Sequence, residues 1–325
     1  MFQPANMSLW SGRDDTPDEG AAGLRWHQCV KALSNEAHEG VALLGFASDA
    51  GVARNHGRPG ARQGPTKLRR MLAGLPAPSV PVYDAGDVVC EDDALEAAQA
   101  EQAGQLASLL DQGLLPITLG GGHEVALGSF RGLARHLENQ GAHAKPRVGI
   151  INLDAHFDLR LAPRGSSGTP FRQIADDCQE KGWAFQYCCL GISRFANTQA
   201  LFDRAKDLGV WWREDTQMGP GHEDATLRYL SDFMAQVDHV YFTLCLDVLP
   251  AAVAPGVSAP AAYGVSLTLV ENLLDAVAQS GKLRLADIAE LNPSYDIDDR
   301  TARTAARCVA RLADPAMRAL IGTRS

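Results

Sequence analysis

An alternation runs along this chain and leaves few folds open to it: a short apolar run, a glycine-rich or charged loop, then a longer stretch with helical periodicity. The apolar runs are VALLGFA (41–47), LLPITLG (114–120), RVGIINLD (147–154), HVYFTLCLD (239–247) and LRLADIAEL (283–291). Between them lie a helix predicted from Thr66 and the stretch DDALEAAQAEQAGQLASLLDQG (92–113). Further on come EVALGSFRGLARHLENQG, closed by Gly141, and SLTLVENLLDAVAQSG. The 92–113 stretch reads as a capped helix, with Asp at its start, Leu95, Ala98, Leu106, Leu109 and Leu110 on one face, and Gly113 as its stop. Strands separated by helices of this length predict an α/β fold with three α/β/α layers, built on a mostly parallel sheet covered on both faces.

At 325 residues and 46% hydrophobic content, the chain can bury one large core, and a single domain over 1–325 is expected. Its first 40 residues, polar at the start and amphipathic around WHQCVKAL, read as an extension packed on that domain. A net charge of -9 excludes a general nucleic-acid binder. No apolar run approaches the roughly 20 residues that span a bilayer. The opening MFQPANMSLWSGRDDTPDEG lacks a basic start followed by an apolar core, so no signal or transit peptide is expected. Seven cysteines without framework spacing fit a reducing, cytoplasmic setting. The adjacent pair Cys188 and Cys189 reads as strand filling.

In such a sheet, sites form at the carboxyl ends of strands, and there the polar residues gather. GGGHE follows LLPITLG and projects His123; by itself it also reads as a glycine-rich turn with an incidental histidine, and it lacks the spacing of a phosphate loop. LDAHFDLR sets Asp154, His156 and Asp158 on alternate positions where an apolar strand runs out. HVYFTLCLD delivers Cys245 and Asp247, and LRLADIAELNP delivers Glu290 and Asn292. Oxygen-rich ligands with one or two imidazoles suit Mn²⁺ better than structural Zn²⁺. A binuclear centre, its ions about 3.5–4 Å apart, would stabilise charge as water adds to a trigonal carbon.

The order GGGHE, DAHFD, a strand ending in TLCLD with APG beyond it, and ELNP resembles the ureohydrolase superfamily of arginase and agmatinase. The loop GVARNHGRPGARQGP is similar to that family's N-terminal segment. The resemblance runs from about residue 41 to 303. It implies an arginase-like fold and a dimanganese hydrolase that cuts a C–N bond of a guanidino or formimino group. By motif position His123, Asp154, His156, Asp158 and Asp247 match metal ligands, and Glu290 matches the carboxylate that holds the substrate's cationic end.

Two departures refine the expectation. Ser167 precedes Gly168 where arginase-like members carry an acid/base histidine, and SSGTPF resembles the formimidoylglutamase branch. That branch hydrolyses N-formimidoyl-L-glutamate to glutamate and formamide in histidine breakdown. Cys245 stands where the pattern most often has a bridging aspartate. Three readings of it compete: a thiolate ligand, a weakened second metal site, or a neutral thiol beside a single ion. The small anionic substrate asks for arginines. Candidates are Arg54, Arg160 and Arg164, with Arg172 and Arg194 behind them, while Asn197 reads the amino-acid end or caps a helix. Asp158 is expected to accept or orient the proton of the attacking water, and Glu290 to pair with the protonated imine. An agmatinase- or guanidinobutyrase-like enzyme releasing urea, and a non-catalytic metal-binding relative, are the alternatives. A homo-oligomer is expected from the family.

Overall fold

The structure is a computed structural model that describes residues 1–141 and 145–314; 142–144 and 315–325, part of the expected domain, lie outside the described residues. The five apolar runs form strands within a residue or two of expectation: β3 (Val41–Ala47), β5 (Leu115–Leu119), β6 (Val148–Leu153), β9 (His239–Cys245) and β10 (Leu283–Ala289). Five more join them: β1 (Phe2–Gln3), β2 (Lys31–Ala32), β4 (Val82–Val89), β7 (Gln186–Ile192) and β8 (Trp211–Glu214). They build one sheet in the order β1-β4-β3-β5-β10-β9-β6-β7-β8, with β2 also paired to β4. Only β1 runs antiparallel among the described pairs.

Because the strands are buried on both faces, alternate residues enter different layers. On β9, Val240, Phe242 and Leu244 face the helices Gly64–Ala73, Glu223–Met234, Leu267–Gln279 and Arg300–Ala313. Tyr241 faces the opposite layer, where Phe130 and Leu133 of Val125–Asn139 and Ile174 of Pro170–Lys181 pack. Burying a side chain such as Phe130, 1% exposed, contributes roughly 1.5–3 kcal/mol.

Two local expectations change. The 92–113 stretch becomes helical only over Leu95–Asp111, with Ala94 at the N-cap and no side-chain cap. Its aspartates are otherwise engaged: Asp92 takes a left-handed backbone (φ 49°), and Asp93 pairs with Arg54 and Arg164. The amphipathic WHQCVKAL makes a single helical turn, Trp26–Cys29, and then enters the sheet as β2. The N-terminal segment is tied into the sheet by β1 and β2. A buried bond from Trp10 Nε1 to Asp84 Oδ2 (2.8 Å) adds a further tie, and the same carboxylate also holds Arg69.

Candidate metal centre

The carboxyl ends of β5, β6, β9 and β10 are neighbours in the sheet order, so the loops that leave them converge on one place. There a cavity of about 290 Å³ is lined by His123, His156, Asp158, Cys245, Asp247 and Glu290, together with Asn55, His56, Arg58, Arg160, Ser167, Asn197 and Ser258. Its floor joins two groups of possible metal donors, His123–Asp154–Cys245 and Asp154–His156–Asp247, each with donor atoms within 4.8 Å of one another. Asp154 is common to both.

His123 leaves the turn after β5. Its Nδ1 lies 2.9 Å from Asp154 Oδ2 and 3.0 Å from Asp158 Oδ2. Yet this buried nitrogen makes no aligned hydrogen bond. Lone pairs from an imidazole and two carboxylates thus meet at one point without a proton properly placed between them, an arrangement that fits a divalent cation. His156 Nδ1 stands 3.2 Å from Asp247 Oδ2 and 3.4 Å from Asp154 Oδ1. The strand ends at Cys245, and a 3-10 turn, Leu246–Val248, carries Asp247. That turn explains why these two residues, near neighbours in sequence, serve different donor groups.

Burial and mutual charge set the protonation of the floor. Burial would lower the His123 imidazole, but Asp154 and Asp158 outweigh it and hold it well above its ordinary value. Asp154 is buried too, yet His123 and His156 keep it below the usual carboxylate range. Burial, then repulsion by Asp154, raises Asp158 to about 6. Burial, then Asp247 and Glu124, raises Glu290 to about 8. The Cys245 thiol is pushed well up by burial and by the carboxylates of Asp154, Asp247 and Glu290. A cation would bring Asp158, Glu290, Cys245 and His123 down and would hold Asp154 lower still.

Glu290 is held in a left-handed conformation (φ 72°), a rare state for a non-glycine residue. Its backbone N–H donates to Gly121 O at 2.8 Å, and its Oε1 accepts from His123 N at 3.0 Å. Oε2 is buried and without a hydrogen-bond partner. Asn292 faces elsewhere, fastening the loop at Arg58 O and Pro59 O.

The arginines divide. Arg160 lines the cavity and, among the described residues, has no ion-pair partner. Arg54 donates to Asp93, Glu96 and Gly165 O, and Arg164 pairs with Asp93, so neither lines the cavity. Arg172 pairs with Asp176 and Arg194 with Glu214. Asn197 reaches the cavity wall, but its amide bonds Ala155 O, Ser193 O and Phe157 N, bracing the DAHFD backbone. Sequence reasoning had no role for Asn55, His56 or Arg58. Arg58 bonds Val257 O and Ser258 O and lies over the Tyr295 ring, 4.2 Å from its centroid. The signal for all three was the loop GVARNHGRPGARQGP, singled out as a unit but not resolved into side chains.

The family model described as Arginase family matches residues 39–313. Formimidoylglutamase from Ralstonia nicotianae is 60% identical over 317 residues, covering 97% of each chain. The Aeromonas salmonicida formimidoylglutamase is 54% identical over 315 residues, 96% of this chain and 98% of that one. Among solved structures, formimidoylglutamase from Bacillus subtilis superposes with TM-score 0.78 at 23% identity, covering 90% of this chain and 93% of that one. Trypanosoma cruzi formiminoglutamase with Mn²⁺ gives 0.77 at 24%, covering 90% and 97%.

Proposed function

The chain belongs to the arginase family, and from that premise we propose that it is a manganese-dependent formimidoylglutamase, hydrolysing N-formimidoyl-L-glutamate to L-glutamate and formamide. The observation that carries the reading is the polarity of the cavity. Its floor gathers Asp154, Asp158, Asp247 and Glu290, while Arg160 faces in without a carboxylate of its own. An amino-acid substrate with a cationic amidine head and an anionic tail matches that gradient.

His123, Asp154, Asp158 and Cys245 would hold one ion, and Asp154, His156 and Asp247 a second. Such ions supply Lewis acidity and lower the pKa of an attacking water, and the oxygen-rich donor set suits manganese. Cys245 would bind as thiolate and, being softer than carboxylate, would weaken manganese binding relative to an aspartate at the same place. Glu290 Oε2, buried and unpartnered, receives the amidinium N–H. The cation's arrival lowers that carboxyl and makes the contact charge-assisted. Asp158 takes the water's proton and returns it to the departing glutamate amine. Ser167 stands on the wall without a titratable group to compete for that role.

Arg160 binds a substrate carboxylate, with Arg58 the second cation at the wall. Arg54 and Arg164 support the reading indirectly, by holding loop 163–168 against the rest of the chain. We place the enzyme in the cytoplasm, in histidine breakdown, as a homo-oligomer acting on a small molecule. Among the described residues no helix is long and apolar enough to cross a membrane. The test presents the Mn²⁺-loaded protein with formimidoylglutamate, agmatine and arginine in parallel. Formamide from the first is expected. Urea from either of the others as the main product, or bound manganese without turnover, would overturn the reading.

A further inference from the structure

Two residues before Asp154, on the same side of β6, stands Asn152, a fully buried amide to which the reaction gives no part. Its register partner on β7 is Cys189, and Tyr187 lies two residues earlier on the same face of that strand. Asn152 Nδ2 meets three acceptors: Tyr187 Oη at 3.0 Å, Asp154 Oδ2 at 3.1 Å and, more distantly, Cys189 Sγ at 3.7 Å. Tyr187 Oη in turn donates to Phe157 O at 3.1 Å, and Cys189 Sγ to His156 O at 3.4 Å. Side chains of β7 thus hold the backbone of the loop that carries His156 and Asp158.

A phenol has one proton, and a carbonyl oxygen has none to give in return. The Tyr187 proton is therefore committed to Phe157 O, and Tyr187 Oη can only accept from the amide. That settles which way Asn152 faces: one N–H goes to Tyr187, and the other is aimed at Asp154 Oδ2. The flipped amide would set Asn152 Oδ1 against the carboxylate, two acceptors with no proton between them, and would leave the phenol oxygen without a donor. The orientation found leaves only Asn152 Oδ1 without a hydrogen-bond partner.

Asp154 is the carboxylate common to both groups of metal donors. Its Oδ1 accepts from His156 N at 2.7 Å and lies 3.4 Å from His156 Nδ1. Its Oδ2 accepts from Asn152 and lies 2.9 Å from His123 Nδ1. One lone pair on each oxygen is thereby taken, and one on each is left for a cation.

We propose that Asn152 and Tyr187 are positioning residues that lock the plane of the Asp154 carboxylate, keeping Oδ2 on the His123 side and Oδ1 on the His156 side. Neither residue lines the cavity. The inference rests on the metal-centre reading above.

The test measures Mn²⁺ binding by equilibrium dialysis on wild type, Asn152→Leu and Tyr187→Phe. Leucine keeps the branched shape of the amide without its donors. Phenylalanine keeps the ring stacked on Phe171, 4.5 Å between centroids, without the hydroxyl. Because one carboxylate serves both groups, Asn152→Leu is expected to weaken the binding of both ions about 10- to 100-fold, and Tyr187→Phe to weaken both about 10-fold. Denaturation of the metal-free proteins separates out a purely structural role: lowered stability with binding as tight as in wild type overturns the proposal, and so does a loss confined to one ion. Wild type that binds no divalent ion overturns the metal-centre reading, and the proposal with it. Should both variants fail to fold, a crystal structure of Mn²⁺-loaded wild type decides. Asn152 Nδ2 within about 3.2 Å of Asp154 Oδ2 supports the proposal, and a carboxylate turned away from the amide refutes it.

Discussion

Arg54 and Glu96 form a two-pronged ion pair, Nη1 to Oε1 at 2.7 Å and Nη2 to Oε2 at 3.1 Å. The guanidinium that the sequence offered as a substrate fork is therefore spent on a helix side chain 42 residues away. Arg160, six residues beyond Asp154, keeps its donors for the cavity.

The first prediction follows from that contrast. Arg160→Ala should raise KM for formimidoylglutamate roughly 10- to 100-fold, the worth of a charge-assisted hydrogen bond of about 1.5–3 kcal/mol. Arg164→Ala, whose partner is the half-exposed Asp93, should change KM less than about threefold. Steady-state kinetics at saturating Mn²⁺ compare the two; equal effects would remove Arg160 from substrate binding.

The thiol at the floor supplies the second. Cys245 shares a donor group with His123 and Asp154. Replacing its soft sulfur by oxygen in Cys245→Asp should shift metal preference toward Mn²⁺ and away from Zn²⁺. Competition dialysis reads the ratio directly. An unchanged ratio, with activity retained, would mean that the thiol is no ligand.

Glu124 gives a pH prediction. It accepts from Ser48 Oγ and Gly51 N, both at 2.9 Å, and burial raises its carboxyl to about 7 from an ordinary 4.5. Between those values the folded, metal-free chain keeps a proton that the unfolded chain has released. Its contribution is fully present below about 4.5 and is lost as pH rises through about 7, at up to about 1.4 kcal/mol per pH unit. Urea denaturation from pH 5 to 7 should therefore show Glu124→Gln gaining on wild type with rising pH. Parallel curves would contradict the shift.

Close packing around that same carboxyl yields the fourth. A Cβ on Gly51 would stand 2.5 Å from Glu124 Cδ and 2.6 Å from Oε2, inside van der Waals contact. Both residues are buried, and Glu124 Oε1 is already held by Ser48 Oγ and Gly51 N. Gly51→Ala should cost about 1–3 kcal/mol of stability, the usual penalty of overpacking. Chemical denaturation of the metal-free protein measures it.

Much of the architecture was written locally. VALLGFA and HVYFTLC could only be buried strands, and their spacing by helices forced a parallel sheet whose carboxyl ends gather the loops. The residues His123, Asp154, His156, Asp158, Cys245, Asp247 and Glu290 were legible for the same reason: polar groups at the end of an apolar strand have few places to go. The strands β4, β7 and β8 were not legible. VYDAGDVV carries Asp84, buried, and Asp87, partly buried, which fit a strand only once Arg69 is seen to pair with them.

Sequence by itself determined the five central strands, their layering and the His, Asp, Cys and Glu side chains gathered at their ends, because strand and helix periodicities act over a few residues. Tertiary structure alone decided which cations remain free and which hydroxyl turns the Asn152 amide. Those outcomes depend on partners such as Asp93 for Arg54 and Tyr187 for Asn152, brought together from 39 and 35 positions apart. Ion pairs and buried hydrogen bonds form between whatever groups the packing places within about 3 Å, and chain order carries no record of that distance.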